Sequence, residues 1–277
     1  MPFPIIATML CAASLSAGWN AVIKGAGNKL FMTILMTGGA GVVAMLMLPF
    51  LRQPAAASWP FIAASGALSA VYYSVVAKAY HAADLSQTFP LMRGTAPLLV
   101  ALTSRWALGE RLSTGAWLGV GLISLGIVFL AASTLRRHAA GVWFALGNAV
   151  VIACYTVIDG LGVRRSGAPA AYCFWVYALT ALPLVTWAFT ARRAAFSRYV
   201  GERPFLGLAG GSVGIAIYAT TLWAMTVAPV AVVAALRETS ILFATAISAL
   251  VLRERVGARR LAMVCAIACG AMVLRLA

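Results

Sequence analysis

The sequence predicts an all-α integral membrane protein of ten transmembrane helices, arranged as two inverted five-helix repeats. Three observations carry this. Of 277 residues, 63% are hydrophobic and 10% charged, whereas a soluble domain is nearer half apolar and a quarter charged. The apolar residues fall in runs of about 20, the length that crosses a bilayer core as a helix. The chain also repeats itself. Arg93 and Glu110 are 17 residues apart, as are Arg237 and Glu254. A shift of 144 carries Arg93 onto Arg237, Thr95 onto Thr239, Glu110 onto Glu254, Arg111 onto Arg255 and Gly126 onto Gly270.

The runs are bounded by turn and charge signals. The first covers 3–23 and has no Lys or Arg before Lys24. It lacks the basic leader of a signal peptide and is read as a retained helix. The next, 29–51, stops at Arg52 and Pro54. The third, 59–80, ends before His81 to Asp84, and the fourth, 86–108, at Gly109-Glu110-Arg111. The fifth, 113–134, ends before Arg136 to His138. The second set follows as 141–161, 170–190, 204–226, 230–252 and 258–275, with breaks at 162–167, 192–203, 227–229 and 253–257. No gap has room for a soluble domain.

The first helices of the two copies also match. Asn20 to Gly25 resembles Tyr155 to Gly160 at a shift of 135. The shift then grows to 144, and the long stretch from Arg192 to Arg203 is where the extra residues are expected. The copies are 1–136 and 137–277. An odd number of helices per copy places the two in opposite orientations, the plan of many secondary transporters.

The net charge of +15 raises nucleic acid as a partner. The Lys and Arg residues form no basic face, however. They sit in the short gaps, where they meet headgroups, so the expected partner is the lipid bilayer and not nucleic acid. With both termini placed in the cytoplasm, six basic residues lie on the cytoplasmic ends (Arg52, Arg105, Arg111, Arg164, Arg165, Arg275) and twelve on the other side. By charge alone the termini are outside. The five cysteines all lie in apolar runs and are odd in number, which argues against a disulfide framework. With no His or carboxylate near them, no metal site and no cofactor are expected. His81 and His138 fall at helix ends and suggest no catalytic group.

The costly residues are those charged within the membrane, at ~2.5–3.5 kcal/mol or more near its centre. Arg93 lies seven residues into its helix, about 10 Å deep, and Arg237 is as deep from the opposite face. Two guanidiniums then flank the midplane, each a fixed fork suited to a carboxylate or phosphate. They either recognise an anionic or zwitterionic substrate or tie helices together. Glu238 is a candidate for a coupling proton, or a strut to Lys78 or Arg93. Asp159 is the second proton candidate. Asn20 and Lys24 share a helix face, as do Tyr155 and Asp159. The opposite charges of Lys24 and Asp159 at equivalent places suggest a cross-repeat pair or a polar cavity lining. Tyr72, Tyr73, Tyr218 and Trp223, inside the third helix of each copy, can stack on a substrate. Pro90 and Pro97 bracket Arg93, where proline bends a helix and frees carbonyls.

Trp19-Asn20 with Lys24, Arg93-Gly94-Thr95-Ala96-Pro97, Gly109-Glu110-Arg111 and Arg237-Glu238-Thr239 resemble the EamA-type branch of the drug/metabolite transporter superfamily, over essentially the whole chain. The resemblance implies ten helices, a central cavity and secondary transport. The usual activity is export of a small-molecule metabolite such as an amino acid or its analogue. It also implies multi-pass residence in a bacterial inner membrane with cytoplasmic termini, opposite to the charge count. Some relatives instead flip lipids or lipid-linked sugars. The related small multidrug exporters hold an essential glutamate in the first helix; here that helix has no acidic residue. A membrane transferase would need a His, Asp or Ser constellation that the chain does not offer. A monomer could suffice, because the duplication supplies both halves of a cavity.

Overall fold

The polar groups of a backbone in lipid must bond to one another, which leaves helices or closed barrels. The structure, a computed structural model, describes residues 3–82, 85–132, 139–250 and 257–277; within these, the side chains of 74, 76–82, 85–90, 130–132, 139–141, 204 and 259 are not described. No strand occurs among the described residues. The first half holds α1 (Phe3–Gly25), α2 (Lys29–Met47), α3 (Trp59–Ala82), α4 (Leu85–Ala107) and α5 (Thr114–Ala132). The second holds α6 (Ala139–Ser166), α7 (Pro169–Ala191), α8 (Arg193–Gly201), α9 (Pro204–Val227), α10 (Val230–Arg237), α11 (Ser240–Leu250) and α12 (Ala258–Leu276).

Among the described residues, six segments are long and apolar enough to cross a membrane: Phe3–Gly25, Lys29–Phe50, Val142–Ser166, Pro169–Ala191, Phe205–Val227 and Val230–Leu250. The chain is a multi-pass integral membrane protein. Helices α3 and α4, of 24 and 23 residues, also have the length. They carry Ser65, Ser69, Tyr72, Tyr73, Arg93 and Thr95, most of which face the interior cavity described below.

Two expectations are corrected. The run 230–252 was expected as one helix, yet α10 stops at Arg237 and α11 begins at Ser240. Across the break the amides of Glu238, Thr239, Ile241 and Leu242 bond three residues back, and the Thr239 hydroxyl donates to Leu236 O at 2.6 Å. This tighter pattern interrupts the α-helix. Helix α4 runs unbroken through both Pro90 and Pro97. The gap from Arg192 to Arg203 is not loop but the nine-residue α8. Its Phe196 is buried against Phe31 and Phe189, with ring centroids 5.4 and 5.1 Å away.

Close packing comes from backbone contact. A Cβ at Gly39 would lie 2.0 Å from Gly207 O, and one at Gly211 would lie 2.2 Å from Ala40 N. Only glycine lets α2 and α9 approach this closely. The same close approaches give helix direction. Gly119 abuts Leu274 and Gly126 abuts Ala266, so α5 and α12 run antiparallel; Gly38 abuts Val185 and Gly41 abuts Ala181, so α2 and α7 do too. Each of these pairs joins a helix to its counterpart in the other copy. The remaining packing is matched across the copies: α2 lies on α9 as α7 lies on α3, α3 on α6 as α9 on α1, and α4 on α6 as α10 and α11 lie on α1.

Candidate functional site

A cavity with about 1190 Å³ of empty space, part of it open to the exterior, lies among the central turns of α1, α3, α4, α6, α7, α9 and α10. Its lining repeats. Ser16, Trp19 and Asn20 of α1 answer to Ile152, Tyr155 and Thr156 of α6, 136 residues on. Ser69, Tyr72 and Tyr73 of α3 answer to Gly214, Ile217 and Tyr218 of α9, 145 residues on. Each set is spaced i, i+3, i+4, one face of a helix. On α1 and α6 the register is one residue beyond the sequence match at 135. It pairs Trp19, not Asn20, with Tyr155.

Arg93, Arg237 and Glu238 are the lining residues that carry formal charge. Arg93 pairs with Glu238 in a two-point contact, Nε to Oε2 at 2.7 Å and Nη2 to Oε1 at 3.1 Å. Side-chain exposures of 14% and 9% make this a largely dry pair. It joins α4 to the break after α10, and so one copy to the other. This contact is the helix tie that the sequence offers as one reading of Arg93. Arg237 also lines the cavity, half-buried, and makes no hydrogen bond or ion pair with the described residues. The hydroxyls of Tyr73, Tyr155 and Tyr177 lie within its electrostatic reach.

Asp159 lies one layer behind the lining, 1% exposed. It accepts a hydrogen bond from Tyr172 Oη at 3.1 Å and another, short one from Tyr218 Oη. The carboxylate thereby ties α6 to α7 and α9. The suggested pairing with Lys24 is corrected: Lys24 is exposed in the last turn of α1. Asn20, one turn earlier, lines the cavity and donates to Ser16 O at 2.8 Å. Trp223 is also placed outside the lining, 40% exposed. Five residues beyond Tyr218, it is turned about 140° around the helix. Lys78 lies on α3, and its side chain is not described. The other candidates, Tyr72, Tyr73, Arg93, Tyr155, Tyr218, Arg237 and Glu238, all meet at the cavity.

Trp19, Tyr177 and Thr180 were not singled out as lining. Trp19 Nε1 donates to Gly210 O at 3.0 Å. Tyr177 and Thr180 are three apart on α7, a spacing that was legible, but α7 reads as uniformly apolar. Glu110, at the turn that ends the fourth helix, is held inside the protein. Its side chain is 9% exposed, and both its oxygens accept the Val230 amide at 3.0 Å. Arg164 Nη2 meets it at 2.5 Å while donating to Ala228 O at 3.0 Å, and Arg164 Nε reaches Met225 O at 2.8 Å. The left-handed Gly109 (φ 68°) ends the α4 turn just before it. One carboxylate thus clamps the α4–α5 turn, the end of α6 and the start of α10.

The EamA-like transporter family model matches residues 3–132 and 139–276. The chain belongs to that family, which places it among the membrane transporters of the drug/metabolite transporter superfamily. No curated protein matches the sequence. A solved crystal structure shares the fold at a TM-score of 0.79 and 21% identity, covering 100% of this chain and 98% of that one.

Proposed function

We propose that this protein is a secondary-active transporter in a bacterial inner membrane that moves a small anionic or zwitterionic metabolite outward by alternating access. The observation that carries the reading is the cavity at the junction of the two copies, lined at matching positions by both. Transporters built from inverted repeats place substrate at such a midplane site, beside discontinuous helices. The α10/α11 break, with Arg237 and Glu238 at its edge, fits that pattern. In this reading α10 and α11 form one span, α8 lies outside the spans, and the chain crosses ten times. The antiparallel packing of α5 on α12 and of α2 on α7 supports an inverted pair of copies, 1–136 and 137–277.

For coupling, Asp159 is a better proton carrier than Glu238. Neutralising Glu238 would strand the charge of Arg93 in a dry site, a costly state. Neutral Asp159 could keep its tyrosine partners, because a hydroxyl can accept as well as donate. Flux should therefore vary between pH 5 and 8 in the wild type and lose that dependence in Asp159→Asn. A pH profile unchanged by Asp159→Asn would remove Asp159 from the coupling.

The direct test of export is untargeted mass spectrometry of the medium around cells overproducing the protein, against cells expressing Asp159→Asn and Arg237→Ala at equal level. A compound that accumulates only with the intact protein is the expected result. An unchanged medium would contradict constitutive export and direct attention to the lipid composition of the two leaflets.

A further inference from the structure

The two arginines that the repeat makes equivalent cannot have equivalent roles. Glu238, the partner of Arg93, sits where a shift of 144 puts Gly94 in the first copy. Position 94 has no room for a side chain: a Cβ there would lie 2.9 Å from Ile127 Cβ and 3.1 Å from Ser124 O. The packing of α4 on α5 therefore excludes a mirror-image carboxylate for Arg237. Glu238 cannot serve both, because its two oxygens are taken by Arg93. It also directly follows Arg237 on the chain, and adjacent positions diverge. The other nearby carboxylate, Asp159, is held by Tyr172 and Tyr218. The lining thus carries the charges of Arg93, Arg237 and Glu238, a formal balance of +1.

We infer that Arg237 is the anchor for one carboxylate or similar monoanionic group of the transported molecule, with the body of that molecule among Tyr73, Tyr155 and Tyr177, while Arg93 and Glu238 form a neutral strut. This rests on the transport reading above and narrows its substrate to molecules bearing a single anionic group, monoanions or zwitterions. A bare cation meets a guanidinium that has no ion pair among the described residues, and a dianion brings one charge more than the lining can answer. The aromatic walls also suit a zwitterion, since a substrate ammonium can lie over a tyrosine ring.

Binding is to be followed by isothermal calorimetry of purified protein titrated with benzoate (a monoanion), glycine betaine (a zwitterion), phthalate (a dianion) and tetramethylammonium (a cation). The panel is run on the wild type, Arg237→Gln, Arg237→Lys and Lys24→Gln, which removes a positive charge outside the cavity. The anchor predicts saturable binding of benzoate or betaine. Affinity should fall about tenfold or more in Arg237→Gln, the usual cost of losing a charge-assisted bond. It should be partly retained in Arg237→Lys, which also reports on folding, and change little in Lys24→Gln. Tighter binding of tetramethylammonium or phthalate, no saturable binding of benzoate or betaine, or an equal loss in Lys24→Gln would each overturn it. Efflux of the same compounds from vesicles separates the two proposals. Binding with no efflux contradicts the transport reading alone, and efflux indifferent to Arg237→Gln contradicts the anchor alone.

Discussion

At the scale of the residue, the dominant interaction is the dry pair between Arg93 and Glu238. Removing one member of a buried pair leaves an uncompensated charge and costs roughly 3–5 kcal/mol, whereas removing both costs far less. Glu238→Gln should therefore lower the melting temperature in detergent markedly, and Arg93→Gln/Glu238→Gln should recover most of it. Equal melting of the single and double variants would show that the pair contributes no mutual stabilisation. The sequence makes both arginines legible as intramembrane charges at matched depth, because depth follows from residue count along a helix. It does not reveal that one is paired and the other is not. That difference arises from the neighbour at position 94, where contact with Ile127 excludes a side chain. Lys24 shows the same limit. Spacing puts it on the face of Asn20, but one further turn carries it to the exposed end of α1.

At the scale of the element, the short helix α10 explains how the cavity edge is positioned. Its first turn has amides without intrahelical partners, and Glu110 accepts that of Val230 from across the copy boundary. Arg164 secures the same carboxylate and two carbonyls before the helix. Glu110→Ala should release this end. Losing a capping acceptor costs about 1 kcal/mol, so the amides of Val232 and Val233 should exchange about fivefold faster or more, with α5 unchanged. Uniform exchange across both helices would refute a local cap. The α2–α9 contact gives a second test. In Gly211→Ala the added Cβ would overlap Ala40 N, so yield and melting temperature should drop, whereas Gly147→Ala, in open space, should be neutral. The apolar runs make the long helices legible. The break after α10 is not, because the apolar run continues past Arg237-Glu238-Thr239 to Leu250, and the tighter bonding at 238–242 leaves no mark on its length. The helix α8 is hidden for another reason, since its apolar residues are few and only the contact of Phe196 with Phe31 and Phe189 buries one.

At the scale of the whole molecule, the duplication does most to organise the fold. Matched landmarks in the sequence foretell equivalent halves, and the paired packing of α2 with α7 and α5 with α12 gives those halves opposite directions. If the copies are inverted in the membrane, Asn28 after α1 and Ala168 after α6 lie on opposite faces. A membrane-impermeant thiol reagent applied to intact cells should then label only one of Asn28→Cys and Ala168→Cys; labelling of both would contradict the inversion. The clamp of Glu110, Arg164 and the start of α10 draws both copies together at one end of the bundle. Transport by alternating access, as proposed above, requires that end to part. The most direct measurement is efflux from vesicles containing Glu110→Cys/Arg164→Cys, before and after the two thiols are bridged by a short bifunctional reagent. Flux that stops on bridging and returns when the link is reduced is the predicted result. Flux unaffected by a complete bridge would contradict the account, because the two copies would then carry substrate without separating where the structure joins them.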